Sequence, residues 1–243
     1  MDPFDTYVLI WDISEKLGIH YDEFWRRIYY DDSYVFYKNA IMFYKNVQNG
    51  KYHHFFSGII NESVYRDSCK IIPDDRKQDF ISDDKSLALP SSDSLCNLSG
   101  TVINTLDTVF RICPKVPFNL VTYRYELRPK DDEIFNLKKG DFYHNNGIMS
   151  TTINPWYTFG KYFVMMPREK IYISYTILIP KYISACYFNI PFGLDLAGKI
   201  YTGSDEFELL LPRNCVFEVL NRKNYNNIVT FELILRYQND HFD

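Results

Sequence analysis

An α+β fold is the expectation for this chain, with N-terminal helices packed on a mixed or antiparallel β core. Three observations predict it. Apolar residues recur at mixed three- and four-residue spacings through the first part of the chain. From Phe118 onward the period shifts towards two, in segments rich in Val, Ile, Tyr and Phe. Helices first and strands afterwards is the order of an α+β domain rather than of alternating βαβ units.

The helical spacings cover Asp5 to Lys16, Tyr21 to Tyr30, Tyr34 to Val47 and Tyr52 to Tyr65. Residues Ile71 to Ser99 are rich in Asp, Lys, Ser and Pro and poor in large apolar side chains, which reads as an irregular connector. Val102 to Ile112 returns to helical spacing, and Pro114 with Pro117 stops it. Strands are expected over Phe118 to Leu127, Glu169 to Ile179, Phe207 to Leu211, Cys215 to Leu220 and Ile228 to Arg236. The Asn-rich stretch Asn221 to Asn227 is expected to join the last two as a hairpin. With 243 residues and no internal repeat, the chain suits a single domain with a sizeable core. Residues 1–33 read as a helical extension to which the sequence assigns no role.

Composition narrows the function classes. Lys and Arg total 27 against 31 Asp and Glu, for a net charge of −4, and no stretch forms a basic tail. Sequence-independent binding to nucleic-acid backbones is therefore disfavoured. The 21 Tyr and 19 Phe suit a packed globular chain rather than a disordered one. Five cysteines, odd in number and widely spaced, form no CxxC pair, and the histidines do not sit at ligand spacing. Neither a disulfide framework nor a metal site is expected. Met1 to Ile13 carries Asp2, Asp5 and Asp12 without a basic segment, so it does not read as a secretory signal. No run of about 18 apolar residues reads as a membrane span. A cytoplasmic protein is expected, acting in its own cell or in the cytosol of a host.

Three fragments carry candidate chemistry. Arg124 lies within Phe118-Asn-Leu-Val-Thr-Tyr-Arg-Tyr-Glu-Leu127. Alternation places it with Phe118, Leu120 and Thr122 on one strand face, and Val121, Tyr123, Tyr125 and Leu127 on the other. An arginine in a half-buried strand is costly unless an anion meets it, and its planar fork suits phosphate oxygens. Taken alone, it is equally an edge arginine paired with a surface acid. The second fragment, Gly147-Ile-Met-Ser-Thr-Thr152, offers three consecutive hydroxyls that can donate to a carboxylate or a ribose. Such runs are common in ordinary strands and turns. The third is Gly203-Ser-Asp-Glu-Phe-Glu-Leu-Leu-Leu-Pro212. In a strand, Glu206 and Glu208 point to the same face about 6.5–7 Å apart, with Phe207 and Leu209 turned into packing. A sheet avoids such a pair beside an apolar run unless the pair has work to do, although a solvated strand end would also accept it.

In combination these fragments become specific. Their order, an arginine strand, then Ser-Thr-Thr, then Glu-x-Glu, resembles the signature of the ADP-ribosyltransferase family in its toxin-like arginine–serine–glutamate branch. Ile103 to Arg124 is similar to that family's helix followed by a proline-containing turn into the arginine strand. Ile177-Leu-Ile-Pro180 resembles the strand before the catalytic loop, and Glu208-Leu-Leu-Leu-Pro-Arg213 the strand that carries the catalytic glutamate. The resemblance runs from about Tyr34 to the C-terminus and is poor over the first thirty residues. It departs at Tyr125, where many relatives have glycine, at Thr152 in place of serine, and in the glycine-poor loop before Glu206.

The resemblance implies a two-sheet fold around an NAD cleft and a mono-ADP-ribosyltransferase that uses NAD as co-substrate, with no metal. By that analogy Glu208 stabilises the oxocarbenium-like centre formed when the nicotinamide–ribose bond breaks. Ser150 holds Glu208 and the nicotinamide ribose, with Thr151 and Thr152 completing the hydroxyl group around the dinucleotide. Arg124 binds the pyrophosphate, and Arg168 adds a second phosphate contact. The loop Ile153 to Pro167 covers the nicotinamide. Glu206 orients an arginine acceptor on a protein substrate and draws off its proton, and Tyr201 helps to recognise that protein. Three other readings stay open at this stage: an NAD glycohydrolase with water as acceptor, an inactive descendant that binds a partner through the same fold, and a nucleic-acid ADP-ribosyltransferase, which the lack of a basic patch disfavours.

Overall fold

The computed structural model describes residues 3–37, 40–41, 92–156, 170–187, 207–225 and 228–238. Backbone proximity gathers the chain into two compact units, one of Met1–Phe24, Cys113–Leu194 and Ile200–Asp243, the other of Trp25–Ile112 and Asp195–Lys199.

One helix, α1 (Pro3–Tyr30), replaces the two expected before residue 31. Proline suits the first helical position, where its missing N–H has no intrahelical partner to lose. Ile10, Ser14, Leu17, Tyr21, Phe24 and Ile28 are all buried, and their three- and four-residue steps run unbroken past Gly18. A glycine inside a helix costs about 1 kcal/mol relative to alanine, less than the burial of this stripe contributes. In the first unit α1 packs by specific contacts. Tyr21 donates to the Ala185 carbonyl at 2.9 Å, the Tyr187 hydroxyl to Ser14 Oγ at 2.8 Å, and the Trp11 ring meets Phe207 edge-on at 5.0 Å. The extension up to Phe24 is thus packed into the first unit's core, and Trp25 onward belongs to the second unit. Leu17→Ala is accordingly expected to lower stability by about 2–5 kcal/mol, measured by urea unfolding. A loss below 0.5 kcal/mol, a roughly negligible change on that scale, would contradict the packing.

In the second unit, Asp31 caps a short 3-10 turn at Asp32–Tyr34, accepting from the Ser33 amide at 2.9 Å. A second helix, α2, spans Ser92–Ile112. It ends ahead of Pro114, as expected, but begins ten residues before Val102. Residues 92–99, expected to be irregular, are therefore helical. The remainder of that connector, most of Tyr34 to Val47 and the expected helix Tyr52 to Tyr65 lie outside the described residues.

Among the described residues the first unit has eight strands: β1 (Leu120–Pro129), β2 (Phe142–Asn145), β3 (Met149–Thr152), β4 (Lys170–Ile179), β5 (Cys186–Tyr187), β6 (Glu208–Leu211), β7 (Cys215–Tyr225) and β8 (Ile228–Gln238). Their order is β2-β7-β8-β4-β1-β3-β6-β5. Only β4 and β8 run parallel among the paired neighbours, so the sheet is mixed, as expected. β1 pairs with β4 along all ten of its residues, Leu120↔Ile179 to Pro129↔Lys170, but meets β3 at the single pair Tyr123↔Thr152. The two sheets implied by the resemblance are thus two blocks of one ladder, β2-β7-β8-β4-β1 and β3-β6-β5, joined at one point. Beyond that point β1 and β3 are no longer paired, and the side chains of Arg124 and Ser150 stand at this divergence.

Alternation on β1 follows the sequence expectation. Leu120, Thr122 and Arg124 share a face with Tyr175 and Ile177 of β4 and, through β4, with Phe231 and Leu233 of β8. Rings on this face stack: Tyr175 on Phe231 at 5.9 Å, Tyr143 on Tyr175 at 6.2 Å and Tyr143 on Phe217 at 6.0 Å. The expected Asn-rich hairpin is corrected in part. Asn221 to Tyr225 belong to β7 and pair with Glu232 to Ile228 of β8; residues 226–227 lie outside the described set. Polar residues are tolerated there because Lys223, Asn224 and Tyr225 are exposed and Lys223 reaches Glu232 at 3.3 Å. β2, β3 and β5, of two to four residues, are too short to show a period.

Candidate active site

Ser150 is where the three fragments meet. Its carbonyl accepts from Arg124 Nη1 at 2.9 Å, and its hydroxyl donates to Glu208 Oε1 at 2.5 Å. The register explains how. On the antiparallel pair β3–β6, Thr152 faces Glu208 and Ser150 faces Leu210, so Ser150, Thr152, Glu208 and Leu210 share one face. Ser150 is then the diagonal neighbour of Glu208, within reach of a hydroxyl–carboxylate bond. Glu208 is only 4% exposed although it stands in the run Glu208-Leu-Leu-Leu211. A carboxylate buried this far needs a donor at hand, and Ser150 supplies one.

The hydroxyl triplet divides. Thr151 turns to the opposite face of β3, is buried, and donates to the Leu209 carbonyl at 2.8 Å, so it serves strand pairing and does not join the cluster. Period-two alternation along β3 separates the middle hydroxyl from its neighbours. Thr152 keeps the cluster's face, and its Oγ1 accepts from the Asn154 amide at 2.9 Å. Asn154 in turn accepts from the Trp156 amide at 3.0 Å, fixing the start of the loop after β3. Trp156 is 58% exposed, and the loop beyond it lies outside the described residues.

Glu126 and Arg128 belong to the cluster, although none of the three fragments singled them out. Arg124 Nη2 donates to Glu126 Oε2 at 3.2 Å, and Arg128 Nε to Glu126 Oε1 at 3.1 Å. The Tyr175 hydroxyl also donates to Glu126 Oε1, and Arg128 Nη1 reaches Asp132 at 3.4 Å. Burial alone pushes the Glu126 carboxyl up, but Arg124, Arg128 and the Tyr175 hydrogen bond together outweigh it and hold the group below the usual carboxylate range. Burial, with the Glu126 charge beside it, pushes the Tyr175 hydroxyl well above the usual phenol range, so it stays a donor. The signal was present in the sequence: Arg124-Tyr-Glu126-Leu-Arg128 alternates charge sign at period two, which puts all three on one face. Tyr125, where many relatives have glycine, points to the other face and donates to the Pro155 carbonyl at 3.0 Å.

Arg168, Tyr201 and Glu206 lie outside the described residues. Phe207, expected to open an extended strand, instead has φ of 41°, and β6 begins at Glu208. A left-handed backbone at a bulky residue costs about 1–2 kcal/mol and breaks the two-residue alternation. The buried Phe207 ring, packed on Trp11, helps to hold the turn.

No protein-family model matches the chain, and no curated protein matches its sequence. Solved structures do match its fold. The Vis toxin, an ADP-ribosyltransferase from Vibrio splendidus, superposes with a TM-score of 0.59 at 13% identity, covering 98% of this chain and 87% of that one. The Clostridium limosum C3 exoenzyme gives 0.53 at 17% identity, covering 93% and 94%. Plx2a, an ADP-ribosyltransferase toxin from Paenibacillus larvae, gives 0.51 at 15% identity, covering 93% and 96%. A single arginine–serine–glutamate cluster at the point where β1 and β3 part is thus carried on an α+β scaffold that these toxins share, and the chain has the fold of the ADP-ribosyltransferase toxins.

Proposed function

We propose that this chain is a mono-ADP-ribosyltransferase that cleaves NAD at its nicotinamide–ribose bond and transfers the ADP-ribosyl group to an arginine of a protein. The observation that carries the proposal is the bonded series Arg124–Ser150–Glu208, a cation, a hydroxyl and a buried carboxylate on neighbouring strands. Two solved structures of fold neighbours agree with the chemistry: the Vis ADP-ribosyltransferase was crystallised with agmatine, a guanidinium compound, and the BECa toxin of Clostridium perfringens with NADH.

In this reading Arg124 and Arg168 meet the pyrophosphate, where guanidinium forks match paired anionic oxygens. Ser150 and Thr152 position Glu208 and the ribose. As the C1′–N bond breaks and neutral nicotinamide leaves, positive charge grows on the ribose, and Glu208 stabilises it from a site shielded from water. The acceptor guanidinium attacks C1′ and loses one proton, which Glu206 takes up. An arginine is protonated at neutral pH, with a pKa above about 12, so it is a poor nucleophile without such a base. Tyr201 contacts the protein that presents this arginine. Residues 1–243 act as one domain, and the product works in a cytosol.

The acceptor is tested with labelled NAD and a cell extract, with mass spectrometry of the modified residues. Glu206→Ala is expected to reduce arginine labelling at least about 100-fold while nicotinamide release into water persists. Arginine labelling at the wild-type rate would remove Glu206 from the acceptor role. Nicotinamide release by the wild-type chain without any labelled protein would make it a glycohydrolase instead.

A further inference from the structure

We propose that Glu126 is a positioning residue: it sets the plane of the Arg124 guanidinium that receives the dinucleotide's pyrophosphate, and is itself held by Tyr175 and Arg128. The inference rests on the nucleotide reading above and adds to it a residue that this reading does not use. Arg124 is tied at two points, through Nη1 to the Ser150 carbonyl of β3 and through Nη2 to Glu126 Oε2 on its own strand. Two bonds from different nitrogens define the plane of a rigid fork, whereas one would leave it free to swing. Side-chain exposure is 28% for Arg124 and 12% for Glu126, so more of the cation than of the acid is open to a ligand.

Glu126 does not simply cancel the charge that the pyrophosphate needs. Its two oxygens are shared among Arg124, Arg128 and the Tyr175 hydroxyl, with Arg128 bridging further to Asp132. Tyr175 comes from β4, the strand paired with β1 along its full length, and its ring is clamped between Tyr143 and Phe231. The tether therefore leads from a rigid aromatic face, through Tyr175 and Glu126, to the arginine that bonds to Ser150. Preorganising a phosphate-binding fork in this way improves ligand affinity without touching the bond that breaks.

The groups facing Glu126 are Arg124 and Arg128 from β1 and Tyr175 from β4, with Asp132 and Tyr143 alongside Arg128. Acid that protonates Glu126 releases the tether, so KM for NAD rises as pH falls. Removing the Tyr175 hydroxyl removes one of the influences that keep the carboxyl ionised, so this rise begins at a higher pH.

The test uses calorimetric NAD binding and nicotinamide-release kinetics on the whole chain as wild type, Glu126→Gln and Tyr175→Phe. Glu126→Gln is expected to raise Kd and KM for NAD about tenfold and to leave kcat within about twofold. Tyr175→Phe is expected to raise them about two- to threefold and to move the acid limb of kcat/KM to higher pH. A purely structural role would lower the melting temperature and move neither KM nor the acid limb. Unchanged NAD affinity in a folded Glu126→Gln overturns the assignment. If that variant does not fold, wild-type affinity and an unmoved acid limb in Tyr175→Phe overturn it equally. No NAD binding by the wild-type chain would overturn the nucleotide reading, and this assignment with it.

Discussion

Glu208→Gln is expected to lower the rate of nicotinamide release, and of ADP-ribosyl transfer with it, by about 10³-fold or more, while NAD still binds. Glutamine keeps the shape of the side chain and can still accept from Ser150 Oγ, so the local structure has little reason to change. Under the proposed function, what it loses is the negative charge that faces the ribose as the glycosidic bond breaks. In many enzymes, electrostatic stabilisation of a developing charge in a desolvated site contributes more to the rate than any other effect. Removing one preorganised group typically costs about 10²–10³ in kcat. A full charge at the reacting centre belongs at or above the top of that range. Because Glu208 is 4% exposed, its field is not screened by bulk water as a surface carboxylate's would be. The stability change should stay below about 1.5 kcal/mol, since one hydrogen bond is weakened rather than removed. Nicotinamide release, circular dichroism and thermal unfolding check the two halves together. A loss of rate smaller than about tenfold in a folded variant would remove Glu208 from the centre of the chemistry.

Arg124→Lys should act on binding rather than on the chemical step. Lysine retains the charge but offers it as a compact point on a flexible stem, and cannot span both the Ser150 carbonyl and Glu126 as the guanidinium does. Charge-assisted hydrogen bonds contribute about 1.5–3 kcal/mol each, so kcat/KM for NAD is expected to fall about 10- to 160-fold for one such bond lost, chiefly through KM. Lysine is a better probe than alanine here. Arg124→Ala would leave the half-buried Glu126 facing one cation fewer, and breaking a buried pair costs about 3–5 kcal/mol of stability, which would confuse lost binding with lost folding. Equal KM values for wild type and Arg124→Lys would show that the pyrophosphate is met elsewhere.

Both expectations were partly legible before any coordinates. The identity of Arg124, Ser150 and Glu208 as a set came from the order of three short fragments, each of which has an ordinary structural explanation by itself. The face of Arg124 followed from period two within β1, whereas β3 is too short to announce its faces, and its register with β6 is what separates Thr151 from Ser150. Glu126 and Arg128 were legible in the same way, as alternating charges on the face already assigned to Arg124. The helical character of α1 was legible too, although its continuity was not. The expected helices Asp5 to Lys16 and Tyr21 to Tyr30 left a gap, and the buried stripe from Ile10 to Ile28 runs across it.

Other features were beyond local reasoning. Short strands such as β2 and β5 carry too few residues to express a period, and they exist because β7 and β6 offer them open edges. The left-handed turn at Phe207 has no glycine to announce it; it is held where the buried ring packs on Trp11, nearly two hundred positions away in the chain.

The sequence by itself determined the α+β order of elements, the faces of β1, and the residue types from which a site could be assembled, because these depend on spacings of a few residues. Only the tertiary structure decided that Ser150 lies between Arg124 and Glu208, that Tyr175 and Arg128 enclose Glu126, and that α1 joins the core of the strand-bearing unit. Those contacts bridge two to about 170 positions along the chain; the distant ones form through strand order and register, which no window of neighbouring residues contains.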